Sequence, residues 1–148
     1  MVIGIFGESC TGKSTLAARL KAMLNAEVYS GKDYLRLAKS ESAAKLSFQE
    51  ILNKAADSEN NIIYVISERE HMKLLPASAI RVLVTADLEL IKARFAERMH
   101  GTLPAPVAAM LEKKHGGFDE EAHDIAVISG QTDLEDVCTR VQQMVQVS

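Results

Sequence analysis

The chain has no tryptophan, and aromatic residues make up only 5% of its 148 positions. Stacking platforms for single-stranded nucleic acid are therefore not offered. Net charge is −3, so nothing draws DNA or RNA to the whole surface, although a local basic cleft can still hold phosphates. Cysteine is nearly absent. Cys10 and Cys138 lie far apart, which excludes a disulfide framework and supplies no C-x-x-C pair for zinc. His71, His100, His115 and His123 follow no zinc-ligand spacing, and read as scattered surface residues. Long apolar runs are missing too. Met1 is followed directly by Val2-Ile3-Gly4-Ile5-Phe6, a segment too short for a signal peptide or a membrane span. The expectation is a cytoplasmic protein with neither a membrane nor a nucleic acid as partner.

What is present is an ordinary globular balance, 47% hydrophobic and 25% charged, in a length that suits one domain over residues 1–148. No repeat or low-complexity tract divides it. Short β-branched stretches alternate with amphipathic ones, the pattern of a parallel sheet covered by helices. Near-continuous apolar runs predict strands at Val2–Phe6, Ala26–Tyr29, Ile62–Ile66, Arg81–Thr85 and Ile125–Ile128, each buried on both faces. Helices are predicted over Lys13–Leu24 and Leu88–Met99. A capping-box pattern at Ser47-Phe48-Gln49-Glu50 opens another, through about Ala56, and Thr132-Asp133-Leu134-Glu135 caps a last one. Pro104, Pro106 and paired glycines interrupt the rhythm across about 100–117, where a short link would suffice. That stretch reads as a lid-like excursion. The fold expected is α/β, a three-layer α/β/α arrangement on a roughly five-stranded parallel sheet.

One segment carries specific chemistry. Gly7-Glu8-Ser9-Cys10-Thr11-Gly12-Lys13-Ser14-Thr15 matches G-x-x-x-x-G-K-[ST] in full, between a predicted strand and a predicted helix. Gly7 and Gly12 permit the backbone angles of an anion nest. The helix N-terminus adds its positive dipole end. Lys13 supplies a point charge for the β- and γ-phosphates, and the Ser14 hydroxyl is a ligand for Mg²⁺. ATP with Mg²⁺ is the ligand expected. Cys10 reads as a spacer, with a low-pKa thiol at a helix N-terminus as the alternative.

Elsewhere, carboxylates and arginines stand where an acceptor would be held. Val65-Ile66-Ser67-Glu68-Arg69-Glu70 runs an apolar strand into acids, so Glu68 or Glu70 can support the metal. Arg94 and Arg98 lie four apart on one helical face and can address one anion.

With these residues the chain resembles the nucleoside monophosphate kinases of the P-loop superfamily, and the cytidylate and adenylate kinases above all. Ser30-Gly31-Lys32-Asp33-Tyr34-Leu35-Arg36 is similar to their acceptor-phosphate segment, which implies that Arg36 seats the acceptor. Glu68-Arg69-Glu70 is similar to the Gly-Arg-Asp of cytidylate kinases, implying a second clamp at Arg69, although Glu68 stands where that pattern has glycine. Arg94 and Arg98 match the R-x-x-x-R that opens adenylate kinase lids, and so stand over the transferring phosphoryl group. The lid itself departs from the family, offering Lys113, Lys114 and His115 in place of arginines. Asp124-Ile125-Ala126-Val127-Ile128-Ser129 resembles a C-terminal family strand, which implies that Ser129–Thr132 lies beside the base.

The resemblance implies transfer of the γ-phosphoryl of Mg-ATP to a small acceptor, a nucleoside monophosphate first. Two alternatives stay open: a kinase of a non-nucleotide metabolite, similar to shikimate or gluconate kinases, and an ATP-binding regulator with little turnover. Asp33 is a candidate base if the acceptor is a hydroxyl.

Overall fold

A computed structural model describes residues 1–147. Five parallel strands form one sheet: β1 (Val2–Phe6), β2 (Glu27–Ser30), β3 (Ile62–Ile66), β4 (Ile80–Thr85) and β5 (Ile125–Ile128), ordered β2-β3-β1-β4-β5. Between and after them run the helices α1 (Lys13–Leu24), α2 (Glu41–Ala56), α3 (Leu88–Arg98), α4 (Ala105–Lys114) and α5 (Leu134–Val147). Two 3-10 turns, Asp33–Leu37 and Arg69–Leu74, follow β2 and β3.

β1 sits at the centre, and its alternation assigns the layers. Val2 and Phe6 face a core with Phe48 and Leu52 of α2, whereas Ile3 and Ile5 face Leu16 and Leu20 of α1 and Val141 of α5. Between Val2 and Phe6, Gly4 has no side chain because Leu75 fills the space; a Cβ there would stand 2.6 Å from a Leu75 methyl. Phe48 is fully buried among the rings of Tyr29, Tyr34 and Tyr64, at 4.9, 5.6 and 4.8 Å between centroids. Burial of a side chain this size contributes about 1.5–3 kcal/mol, with aromatic pairing in addition. This cluster anchors the segments that follow β2 and β3. Among the described residues, no helix is long and apolar enough to cross a membrane.

The strands lie where the apolar runs predict them, within a residue, but β2 and β5 at the sheet edges are not buried on both faces, since residues of each are exposed. Two other expectations need correction. α2 begins at Glu41, not at Ser47: Ser40 Oγ accepts from the Ala43 amide at 3.2 Å. The helix formers between them extend one buried stripe (Ala44, Phe48, Leu52, Ala55) back through Ser47, whose resemblance to a cap is incidental. α5 is capped by Asp133, which accepts from the Glu135 amide at 3.0 Å, while Thr132 Oγ1 accepts from Ile128 N at 2.9 Å. The excursion holds α4, with Pro104 as its N-cap and Pro106 in its first turn. Proline is tolerated there because the first-turn amides have no helical acceptor to lose.

Candidate phosphate-binding and acceptor site

The loop between β1 and α1 lies at the carboxyl ends of the strands, where open α/β sheets bind their ligands. Its entry is tight. Gly7 donates its amide to Ile66 O at 3.2 Å, and a Cβ on Gly7 would meet Val84 O at 2.1 Å. Gly12, the N-cap of α1, has φ +99°, a backbone region that side chains rarely adopt. Thr11 is buried and donates to Glu8 O at 2.8 Å, which pins the loop on itself. The first-turn amides of α1 have no intrahelical acceptor, so this end is prepared for an anion.

Lys13 is 6% exposed. Its ammonium donates to Gly7 O at 2.8 Å and to Glu8 O. Burial brings its pKa down to about 8; the charges of Cys10 and Glu8 oppose that shift, and Arg98 adds to it. The loop carbonyls thus hold the cation that a phosphate oxygen would claim.

Two cavities flank this loop. One, of about 410 Å³, is bordered by Thr11, Thr15, Arg94, Arg98, Ser129 and Thr132. The other, of about 360 Å³, is bordered by Ser9, Lys13, Ser14, Ser30, Ser67 and Arg98. Arg98 borders both. Arg94 is a clasp: it donates to Cys10 O and to Ser129 Oγ, each at 2.9 Å, tying the loop to the segment after β5. Larger cavities of about 530 and 500 Å³ lie by Asn61, at the amino ends of the strands, and one of about 540 Å³ lies by Arg69, Glu70 and Arg81. Size does not decide here, because none of them gathers the backbone nest of the loop.

The remaining expected site residues divide. Asp33 is exposed and borders neither loop cavity itself, but accepts at 2.9 Å from the amide of Ser30, which lines the second. Arg36 is exposed and sits over the Tyr29 ring, 5.0 Å from its centroid. Arg69 pairs with Glu121 at 3.3 Å and borders a separate cavity with Met72, Lys73 and Arg81. Neither borders the two loop cavities. Glu68 and Glu70 are exposed in the turn after Ser67. Cys10 is buried in a small cluster with Ala86, Ile91 and Leu111, the spacer's place.

Two features escaped the sequence reading. The Glu8 carboxylate receives His115 Nδ1 at 3.1 Å and the Gly116 amide at 3.3 Å, so the segment after α4 docks on the phosphate loop. His71 is not a surface histidine: it is 3% exposed, and neither ring nitrogen has a hydrogen-bond partner. Its adjacency to Glu70 at a strand end was the only available signal.

Sheet order and helices define an α/β fold with the glycine-rich phosphate-loop motif at the carboxyl ends of its parallel strands. No family model and no curated protein matches the chain. Solved structures do share its fold. The YorR protein of Bacillus subtilis, in complex with phosphorylated GDP, is 21% identical, with 99% of this chain and 96% of that one covered at a TM-score of 0.64. A gluconokinase from Sinorhizobium meliloti is 16% identical, covering 99% and 91% at 0.61. A shikimate kinase from Acinetobacter baumannii, in complex with shikimate, is 15% identical, covering 99% and 93% at 0.61. At such identities the likeness is one of fold.

Proposed function

We propose that this protein is an ATP-dependent kinase that transfers the γ-phosphoryl group to a hydroxyl of a small non-nucleotide metabolite. The observation that carries the reading is Arg98, which borders both the cleft beside Ser129 and the cavity beside Ser30 and Ser67. A group passing from one to the other passes this guanidinium. In phosphoryl transfer, charge spread over the moving group needs such a neighbour, and positioning does most of the rest.

The nest from Gly7 to Thr15 grips the triphosphate, with Lys13 on the β- and γ-phosphates. Arg94 holds the wall formed by Ser129. The Ser14 hydroxyl borders the acceptor-side cavity and is an oxygen donor suited to Mg²⁺, with Glu68 or Glu70 as support from the strand end. When bound, Mg²⁺ neutralises charge on the β- and γ-oxygens. Asp33 takes the proton of the acceptor hydroxyl as that oxygen bonds to the γ-phosphorus. The bond from the γ-phosphorus to the bridging oxygen breaks, and ADP leaves.

Beyond the phosphate loop, the acceptor-side lining offers the hydroxyls of Ser30 and Ser67, with Arg98 its only arginine. This favours a hydroxylated metabolite over a nucleoside monophosphate, because Arg36 and Arg69 are engaged elsewhere. Shikimate- and gluconate-type kinases on the same fold make that acceptor class chemically reasonable. The nucleoside monophosphate remains the second reading, supported by the likeness over residues 30–36. A panel of sugars, hydroxy acids and nucleoside monophosphates, scored for ADP release, tests both. Stimulation by a hydroxylated metabolite alone is the expected result. Stimulation by a nucleoside monophosphate alone selects the second reading. ATP binding with no acceptor-dependent turnover means a regulator instead.

A further inference from the structure

We propose that Glu68, Glu70 and His71 form a binding site for a divalent transition metal, of which Zn²⁺ and Co²⁺ are the working examples. The three residues stand at the start of the 3-10 turn after β3, and one donor atom from each lies within 4.8 Å of the others. Two exposed carboxylates alone are common and mean little. The imidazole is what changes the reading. His71 is 3% exposed, both its nitrogens are buried without a hydrogen-bond partner, and Nε2 stands 3.8 Å from Glu70 Oε1. A buried ring nitrogen with nothing to bond is costly to keep, and this one is turned towards a carboxylate.

The spacing suits shared ligands better than a direct bond. At 3.8 Å the His71–Glu70 pair is too long for a hydrogen bond. Two donors on one zinc ion, each about 2.0–2.2 Å from it, stand roughly 3.4 Å apart. Closing that gap takes a few tenths of an ångström in Glu70. Glu68, also exposed, can swing in from the remaining 4.8 Å limit without disturbing the core. On the buried side, the Tyr34 ring meets the imidazole edge-on at 6.0 Å between centroids, which limits its tilt.

The donor set also selects the ion. Magnesium and calcium prefer all-oxygen surroundings, whereas imidazole with carboxylates suits zinc, manganese, iron or cobalt. Glu68 or Glu70 can support a magnesium at Ser14 only while it is not a ligand here, so the two ions would compete for these carboxylates. Three protein ligands leave positions open for water or for an oxygen of a bound molecule. Glu70 borders the cavity that Arg69, Lys73 and Arg81 also line, so an ion here has an open side. None of this depends on the protein being a kinase.

The test uses the full chain, stripped of metal and free of nucleotide. Co²⁺ is added while its visible bands are recorded, and Zn²⁺ binding is followed by calorimetry. One ion per chain is expected, with a Kd below about 10 µM. Glu70→Gln and the Glu68→Gln/Glu70→Gln pair are exposed changes that leave the core intact. The single change should weaken Zn²⁺ binding by about tenfold or more and the pair should abolish it, given that even supporting residues of a metal site matter by 10–100-fold. His71→Gln should remove the nitrogen-dependent Co²⁺ bands. Lys13→Met should leave Zn²⁺ uptake unchanged while ATP binding falls, which separates this proposal from the kinase reading. If the wild-type chain binds neither ion saturably, or the Glu68→Gln/Glu70→Gln pair binds as tightly as wild type, the proposal fails and ordered water is what satisfies His71.

Discussion

The two sides of the phosphate loop are built on opposite principles. On the nucleotide side two cations are already held by the protein: Lys13 by the carbonyls of Gly7 and Glu8, Arg94 by Cys10 O and Ser129 Oγ. On the acceptor side the arginines expected to hold an anion are occupied elsewhere, Arg36 on a tyrosine ring and Arg69 on Glu121. What remains there is Arg98, Lys13 and serine hydroxyls, with acids in the turn beyond them. On the proposed kinase reading, the donor grip is preorganised and general, while the acceptor pocket carries the individuality of the chain. A triphosphate tail is always the same anion, so its cradle can be fixed by backbone and by one buried lysine. An acceptor is recognised by side chains on turns, and those carry the variation.

The comparison breaks most readily at Lys13. Lys13→Met keeps the aliphatic stem and removes the charge, and acceptor-dependent turnover should fall by about 10³-fold or more. The fold should survive, because the charge is one that burial disfavours. ADP release beside a melting curve checks both; intact turnover in a folded variant would remove Lys13 from the mechanism. Arg98→Ala comes next. It should lower kcat by about 10²–10³-fold with a much smaller change in ATP affinity, since its charge counts most while the phosphoryl group is between the two cavities. An equal loss in ATP binding and in kcat would mean that Arg98 serves the donor alone.

Much of this was legible in the residues themselves, and the reasons are physical. The strands announce themselves because burial on both faces demands unbroken apolar runs, as in Val2–Phe6 and Ile62–Ile66. The phosphate loop announces itself because only glycine suits the Val84 carbonyl at Gly7 and the positive φ at Gly12. Local patterns misled where tertiary packing outvoted them. Ser47 looks like a cap yet lies inside α2, and the prolines at 104 and 106 look like breakers yet open α4. Side-chain direction was out of reach altogether. Nothing in Glu68-Arg69-Glu70-His71 says that the arginine turns to Glu121 and the histidine goes under, since both depend on residues more than thirty positions away (Tyr34 on one side, Glu121 on the other).

Lys13 also sets a pH dependence on the donor side. Burial holds its pKa at about 8 in the free protein, and a bound triphosphate would raise it again. Below pH 8 the lysine is charged before and after binding, so affinity is flat. Above pH 8 the free lysine is neutral and must take up a proton on binding, so ATP affinity should fall by up to about tenfold per pH unit. Calorimetry in buffers of different ionisation enthalpy reads that proton uptake directly. A flat affinity from pH 7 to 9.5 would mean that Lys13 keeps its charge despite burial.

The smallest expected effect is the one that sharpens the acceptor side. Arg69 is exposed and its Glu121 partner only partly covered, and an ion pair this open contributes about 0–1 kcal/mol. With a hydroxylated metabolite as acceptor, Arg69→Ala should leave the acceptor KM within about twofold and the melting temperature nearly unchanged. With a nucleoside monophosphate, the same change removes a charge-assisted contact to the acceptor phosphate and should raise KM by about tenfold or more. One variant therefore separates the two acceptor classes, because Arg69 must leave Glu121 to serve the second and has no reason to leave it for the first.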